Sequence, residues 1–569
     1  MMSVSMDPDC LAPGEVPHLS RLYAAYLGDF KKVAAAYAHP PDLRGIRAAA
    51  RELRARTTRY PAEMRGGVVQ ILRDQNFRFA GGALHPQAKR NLDRLESGAV
   101  AIVTGQQVGL FGGPAYTFYK ALSAIRVAAD ATRARIEAVP IFWMAGEDHD
   151  LAEVNHVFWP AENGLEKLEW IGDAQDEGRS VGGILLGKGI EALVRKASDA
   201  LTGAFATEMS IALSACYSPG ETFGSAFARL MSALFASRGL ILLDPLDERL
   251  HQLAAPLLQR AAKQQEDLTA ALLAQDKKIV SVGYHAQVKV TGRSTLLFYT
   301  AGGHGANTRM ESGRLADGRA VEGQRLALKR INSGFAAGEK HFSAQELQTA
   351  IAASPELFSP NALLRPVVQD ALLPTAAYIG GPGEIAYFAQ NSVLYKKLLG
   401  RMPAILPRAS FTLVEPEILR LLDRYGLEPA GVLSGRQTLA GRMARRHIPP
   451  KLALKFDDTQ FALERMLISL YKPVGKLDST LKGAMETAAR KMLYQFEKLR
   501  RKAGRAADFR TGILAKHEAA ILNALYPERG LQERSHSLLP FLARHGTDLF
   551  DDLGKCCSPT PCAHRFVRL

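Results

Sequence analysis

The sequence predicts an α/β protein: a parallel-sheet core carrying inserted connecting segments, followed by a C-terminal α-helical coiled-coil domain. Three observations predict it. Short apolar runs alternate with amphipathic helical stretches through the middle of the chain. Two glycine-rich turns directly follow two of those runs. After about residue 415 the composition shifts to long, charge-rich segments with helical periodicity.

Taken in order, residues 1–97 read as a helical segment packing on the core, with apolar residues at helical spacing in "LYAAYLGDFKKVAAAYAH" and "VVQILRDQ". "GAVAIVTG" (98–105) is a strand, "YTFYKALSAIRVAADATRAR" (116–135) a helix and "AVPIFWMAG" (138–146) a second strand, which together make a right-handed βαβ unit. "GLILLDP" (239–245), "PTAAYIGGPG" (374–383) and "MPAILPR" (402–408) supply further strands, so that 98–415 forms a Rossmann-like catalytic core. Insertions near 156–220 and 280–355 read as small β-rich pieces, the second containing the alternating "QVKVTGRSTLLFYT" (287–300). Residues 416–530 form a helical arm in which Leu481, Met485, Ala488, Met492 and Leu499 fit four-three spacing, with Gln495 at one polar seam position. A break is expected near Pro473 and Gly475. The arm predicts a homodimer; packing on its own core is the competing use. Residues 531–569 read as a return segment with one helical element and a Cys-rich tail.

Hydrophobic content of 47% and charged content of 23% are those of a soluble globular protein. No apolar run reaches the roughly 18 residues of a membrane span, and "MMSVSMDPDCLAPGEVPHLS" lacks the features of a signal peptide, so a cytoplasmic location is expected. In a reducing cytosol the five cysteines need form no disulfides. "CCSPTPCAH" offers Cys556, Cys557, Cys562 and His564 to zinc without ordinary ligand spacing, so an unstructured tail and no metal site are expected. Net charge is +15, which favours acidic partners. The excess lies on diffuse helix faces, and no P-loop, zinc finger or RNA-binding motif is present, so nucleic acid is not the expected partner.

Chemistry concentrates in three places. The turn "TGQQVGLFGGPAYTFYK" (104–120) has Gly105, Gly109, Gly112 and Gly113 for close backbone approach. The helix start after it suits an anion, with Gln106, Gln107, Tyr116, Thr117 and Lys120 beside it. A tight structural turn is the competing reading. "VPIFWMAGEDHD" (139–150) carries Glu147, Asp148, His149 and Asp150 to the carboxyl end of a buried strand, where open α/β sheets bind ligands. His149 could act as acid or base near neutral pH. A metal site with Asn155 or His156 is the rival, and a capped helix start would explain Asp148 or Asp150 but not His149. In "YIGGPGEIAYFAQ" (378–390), Gly381 and Gly383 precede Glu384 and Tyr387, and Glu384 is placed to meet a substrate amine. His285 and Gln287, in "SVGYHAQVKV" (281–290), stand in a β-rich insertion; a lone histidine there is more often structural. Because both turns follow parallel strands, Gln106, Lys120, Asp148, His149 and Glu384 should converge on one cleft.

"VTGQQVGLFGGPAYTFYKALSAIRVA", "VPIFWMAGEDHDLAEVNHV", "GYHAQV", "GGPGEIAYFAQ", "MPAILPRASFTLVE" and the late "LQER", in that order, resemble the BshC family of bacillithiol biosynthesis. The Cys-rich tail and the basic balance depart from the family pattern. The resemblance implies a core related to cysteine-activating ligases and class I synthetase-like nucleotidyltransferases, and a dimerising coiled coil. It implies addition of L-cysteine to the amine of glucosaminyl-malate through an amide bond. It also implies a nucleotide (ATP or ADP) site, by fold analogy. On this basis Asp148, His149 and Glu384 are the catalytic candidates. Substrate contacts fall to Gln106, Gln107, Gly113, Tyr116, Thr117, Lys120, Glu147, Asp150, Asn155, His285, Gly381, Gly383, Tyr387 and Arg408. Two other readings compete: a class I synthetase-like nucleotidyltransferase or ligase with another substrate, though HIGH-type and KMSKS-type motifs are lacking, and a non-catalytic dimeric scaffold.

Overall fold

Branched and aromatic side chains on both faces of a strand demand cover on both sides, and the central sheet receives it. The computed structural model describes residues 9–55, 60–161, 164–301, 323–332, 334–478, 480–508, 512–557 and 562–569. Its central elements are β1 (Val100–Gln106), α1 (Tyr116–Arg133), β2 (Ala138–Met144), β3 (Ile241–Leu243), β4 (Thr375–Gly380), α2 (Pro382–Leu398) and β5 (Ala404–Pro407). The five strands pair in the order β5-β4-β1-β2-β3, every pair parallel. All five expected strands are present. Alternate residues of β1 face opposite layers: Val100 and Ile102 pack with Ala124 and Ala128 of α1 and with Ile46, and Ala101 and Val103 with Val68 and Leu72 of the helix Ala62–Phe79. The chain runs β1 to β2 to β3 in one direction, then returns to lay β4 on the other side of β1. The strand order therefore reverses between β1 and β4, the position where parallel sheets open a crevice.

The insertions differ from expectation. Between 156 and 220 one hairpin, His156–Ala161 with Gly164–Glu169, is followed by the helices Gly189–Asp199 and Ala206–Cys216, so helix outweighs strand in the segment. Ile190, Val194 and Ala197 recur at helical spacing and are buried, which is why that stretch is no strand. The second insertion is indeed β-rich: Ser294–Ala301, Gln324–Ile331, Gly334–Ala337, Lys340–Phe342 and Phe358–Pro360 form one antiparallel sheet. Residues 287–293, however, precede it as irregular chain. The Gln390 amide takes both the N–H and the C=O of Val288, the groups a ladder would need.

In the arm, α3 (Pro450–Leu477) runs unbroken through Pro473 and turns at Asp478 into α4 (Leu481–Asp508). The break lies past the proline because Asp478 accepts the Thr480 N–H and hydroxyl and fixes the turn there. Met485, Ala489 and Leu493 of α4 line a groove with Leu467 of α3, and Phe456 meets Phe496 at 5.6 Å between the two helices. Most of the anticipated seam therefore faces outward: Leu481, Met492 and Leu499 are 39%, 50% and 56% exposed, as are Leu454, Phe461 and Ile468 of α3 at 64%, 63% and 72%.

The C-terminus is also a correction. After the turn Gln532–Arg534 come two short helices, Leu539–His545 and Leu549–Cys556, parted at Gly546, whose φ of +73° is left-handed. The expected loose tail is instead a strand, β7 (His564–Arg568), set between β6 (Phe411–Val414) and the two residues Cys10–Leu11. Cys10 and Cys562 form a disulfide, where free thiols were expected. Phe566 is buried, and His564 meets the Ser410 and Thr412 hydroxyls at 2.8 and 2.9 Å. Residues 558–561 of the Pro-rich stretch lie outside the described residues. Among the described residues no helix is long and apolar enough to cross a membrane.

Burial pulls His564 down to about 4. The folded state then holds fewer protons than the unfolded chain between about pH 4 and 6.5, so this stability is complete above about pH 6.5 and is lost as pH falls toward 4. The unfolding free energy measured in urea should fall by roughly 1.4 kcal/mol per pH unit in that window from this group. His564→Gln should flatten the slope, and an unaltered slope would contradict this reading of the terminal strand.

Candidate active site

At the point where the strand order reverses, a buried ion pair bolts the two halves of the sheet together. Lys120, on α1, has a side chain only 4% exposed, and its Nζ reaches Glu384 of α2 at 2.5 Å. The same ammonium donates to Gly105 O at 2.7 Å and to Gln106 Oε1 at 2.8 Å. Glu384 in turn accepts from the Tyr378 hydroxyl at 2.5 Å and from the Gly381 N–H at 2.7 Å, which caps the first turn of α2. Burial pushes the Glu384 carboxyl up, but Lys120, Tyr378 and the Gly381 N–H together outweigh it and hold the group below the usual carboxylate range. Both charges are therefore engaged with each other. The three Lys120 donors are used within the protein, and three of the roughly four acceptor sites of Glu384 are filled, so neither group is an unpaired charge awaiting the expected anion or substrate amine.

Above this pair opens a cleft of about 650 Å³ along the carboxyl edge of the sheet. It gathers Gln106, Gln107, Tyr116 and Lys120 from the first turn, and Gly381, Gly383, Glu384 and Tyr387 from the second. Glu147, Asp148 and His149 line it from the end of β2, and Arg408 from the end of β5. The Gln107 amide bridges Asp148 at 2.7 Å and Glu153 at 2.9 Å. His149 is half-exposed, its ring 5.9 Å from Phe298 and its Nδ1 3.5 Å from a guanidinium nitrogen of Arg325. The same Nδ1 lies 3.7 Å from Asp148 Oδ1, so it stands between a donor and an acceptor and either tautomer finds a partner there.

Five predicted residues do not line the cleft. Asp150 is exposed and caps the turn Leu151–Val154 by accepting the Glu153 N–H at 3.2 Å. Asn155 is buried and donates to Trp170 O at 3.0 Å. His285 is exposed in the irregular connection, and its neighbour Gln287 reaches the cleft instead. Gly113 and Thr117 line a side cavity of about 280 Å³ that shares Gln106, Gln107 and Tyr116 with the main one. The first turn is also tighter than an anion cradle. Gly112 has φ +84°, and a Cβ there would lie 2.5 Å from the Phe118 ring. Its N–H and those of Gly113, Ala115 and Thr117 donate to nearby carbonyls, so they are not offered to a ligand.

Anion-binding capacity comes from arginines that sequence reading missed. Arg365 donates to the Tyr387 hydroxyl at 2.9 Å and to Gln369 at 3.3 Å, with no carboxylate within ion-pair distance among the described residues. Arg325 lies 3.9 Å over the Phe298 ring and donates to Ser359 and Pro360 O. Arg534 sits 6.0 Å over Tyr116 at the junction of the two cavities. Arg408, by contrast, is held bidentately by buried Glu533 at 2.6 and 2.9 Å. No local motif announces Arg325 or Arg365: each arrives on a different element and becomes recognisable only when the second sheet folds over the first. These cations fit the phosphates of a nucleotide better than the glycine turn does. A larger cavity, about 970 Å³, lies between the helix Ile513–Leu525 and the stretch Leu413–Arg420, away from the reversal of strand order.

Residues 6–409 match the family model described as bacillithiol biosynthesis BshC, N-terminal Rossmann-like domain. Residues 411–569 match that of the BshC C-terminal coiled-coil domain. The chain belongs to the BshC family. A relative from Koribacter versatilis (strain Ellin345), named "Putative cysteine ligase BshC", is 41% identical over 567 residues, covering 99% of this chain and 100% of the relative. Relatives of the same name from Solibacter usitatus (strain Ellin6076) and Salinibacter ruber (strain DSM 13855 / M31) are 37% and 33% identical, covering 95% and 96% of this chain and the same shares of their own lengths. The parallel sheet and the helical hairpin described above agree with those two domain descriptions.

Removing one partner of a buried ion pair leaves the other uncompensated, at about 3–5 kcal/mol. Lys120→Met should lose that much in chemical denaturation, and the double variant Lys120→Met/Glu384→Gln should recover part of it. Additive losses from the two changes would show that the pair is not coupled.

Proposed function

We propose that the chain is a ligase that joins the carboxyl group of L-cysteine to the amine of glucosaminyl-malate, forming the amide bond of bacillithiol. Family membership supports the class of activity. The observation that carries the substrate reading is the charge pattern of the one cleft over the sheet reversal, where arginines with neutral partners face acidic and amide groups. Arg365, Arg325 and Arg534 suit the malate dicarboxylate, because a guanidinium pairs with a planar carboxylate through two parallel N–H bonds. Asp148, Glu153 and Gln107 suit the sugar hydroxyls and the amine. His149, half-exposed at the cleft wall, suits a hydrogen bond to the oxygen of the acyl group under attack. Holding amine and acyl carbon side by side supplies proximity, a large contribution in any amide-forming site. A nucleotide, ATP or ADP, would supply activation of the cysteine carboxyl when bound.

The arm is assigned to homodimerisation. Leu481, Met492 and Leu499 face outward from the hairpin, and burying each large side chain would contribute about 1.5–3 kcal/mol. Glutamates at Met492 and Leu499 should therefore give folded monomers by light scattering. An unchanged dimer mass would place the interface elsewhere.

Thiol profiling of cells with and without the gene tests the activity. Loss of the gene should deplete bacillithiol and accumulate glucosaminyl-malate; an unchanged thiol pool with no such accumulation would contradict the proposal. His149→Asn should lower the rate by about 10²-fold, the scale of one oxyanion donor. Its melting temperature should stay within a degree or two of wild type. A collapse in stability would make His149 a folding residue.

A further inference from the structure

Four carboxylates line the cleft, and three are occupied. Glu384 accepts from three donors, Asp148 from the Gln107 amide and the His149 N–H, and Glu153 from Gln107. Glu147 is the fourth. Its side chain is 9% exposed, it lines the cleft, and among the described residues no donor stands within hydrogen-bonding distance of its carboxylate. A buried carboxylate without a donor is costly, so its retention asks for a use.

Directly behind it lies His251, on the helix Glu248–Lys263, with a side chain 8% exposed and Nε2 at 3.7 Å from Glu147 Oε1. The Nδ1 of His251 is 3.2 Å from the Phe358 carbonyl, which can only accept, so Nδ1 carries a hydrogen. Nε2 is then left facing a carboxylate oxygen at 3.7 Å, so the imidazole stands behind the carboxylate without filling its acceptor sites. Apolar residues close the far side: Leu250, Ala254, Leu258, Val368 and Leu372 surround the small cavity behind the pair. Proton exchange is therefore directed toward the cleft.

We infer that Glu147 takes the proton from the substrate's ammonium group, and that His251 is the positioning residue that holds the carboxylate facing the cleft. This rests on the ligase reading, because an ammonium has no lone pair and must lose a proton before it can attack an acyl carbon. In the step, one N–H bond of the ammonium breaks and its proton bonds to a Glu147 oxygen. The electron pair stays on nitrogen, which becomes the nucleophile; Glu147 later returns the proton to water in the cleft. The groups facing Glu147 set its proton affinity. Burial and Asp244 push the carboxyl up, while His251, Arg325 and Arg365 pull it down, and the balance leaves it above the usual carboxylate range. That is the direction a base working near neutral pH requires.

Two measurements on the full-length protein test this. The first is the pH profile of amide formation. Glu147→Gln, nearly isosteric, should lower kcat by at least about 10²-fold, within the range of general base catalysis. Affinity for glucosaminyl-malate should change little. His251→Asn removes an imidazole that favours the ionised carboxylate, so the acid limb should move to higher pH. An unmoved limb, or Glu147→Gln retaining more than about a tenth of kcat, would overturn the inference. The second is calorimetry of glucosaminyl-malate binding in two buffers of different ionisation enthalpy, which counts protons exchanged without any turnover. In the wild type the ammonium's proton should pass through Glu147 to the buffer on binding, and this release should be absent in Glu147→Gln; an identical count in both proteins overturns the assignment. Failure of the wild-type protein to form the amide would overturn the ligase reading while the proton count still decides on Glu147. Failure to bind glucosaminyl-malate at all would overturn both.

Discussion

The ion pair between Lys120 and Glu384 is the constraint on which the rest of the site depends. Burying two charges costs several kcal/mol per ion, and such a pair survives only where further hydrogen bonds complete both groups. Here they do: a carbonyl and an amide oxygen complete the ammonium, while a hydroxyl and a backbone N–H complete the carboxylate. The pair joins α1 to the start of α2 across the reversal of strand order. It fixes the distance between the two glycine-rich turns and so the width of the cleft. Apolar side chains could fill the same space, but they would not orient Gln106, the Gly105 carbonyl and the Gly381 N–H in one arrangement.

With those two charges engaged, the chemistry passes to residues around them. Of the cleft's remaining cations, Arg325 comes from the strand Gln324–Ile331 and Arg365 from the helix Arg365–Leu372, both laid over the mouth. Burial lowers the proton affinity of Arg325, opposed by Glu147 and Asp148, which leaves it a charged donor in a partly dry setting. Glu147 keeps lone pairs open toward the same space. A region with donors for carboxylates at one side and an open acceptor at the other suits a zwitterionic substrate. Glucosaminyl-malate, with an ammonium at one end and two carboxylates at the other, has that distribution.

Much of this is legible in the sequence. Strands announced themselves as short apolar runs because parallel strands are buried on both faces, and the two turns were visible as glycine clusters directly after them. The convergence of Gln106, Lys120, Asp148, His149 and Glu384 followed from parallel topology alone. Partner choice did not follow. Nothing local in "GGPGE" tells that Glu384 pairs with Lys120 rather than with a substrate, because that depends on a distance set by the whole sheet. His251, Arg325 and Arg365 were invisible for the same reason: each is an ordinary residue of its own element. Cys562 and His564 misled because a Pro-rich stretch read as loose chain, whereas the strand after it buries His564 and Phe566 against β6 and the N-terminal residues. The alternation at 287–293 misled because one glutamine side chain took the backbone groups a strand would have used.

A crystal structure of the protein soaked with glucosaminyl-malate tests the central claim most directly. The account predicts the ligand over the reversal between β1 and β4, its malate carboxylates on Arg365 and Arg325 and its amine within hydrogen-bond reach of Glu147. The Lys120–Glu384 pair should remain intact beneath it. Ligand density confined to the larger cavity beside the helix Ile513–Leu525, or a bound amine paired with Glu384 after release of Lys120, would contradict it.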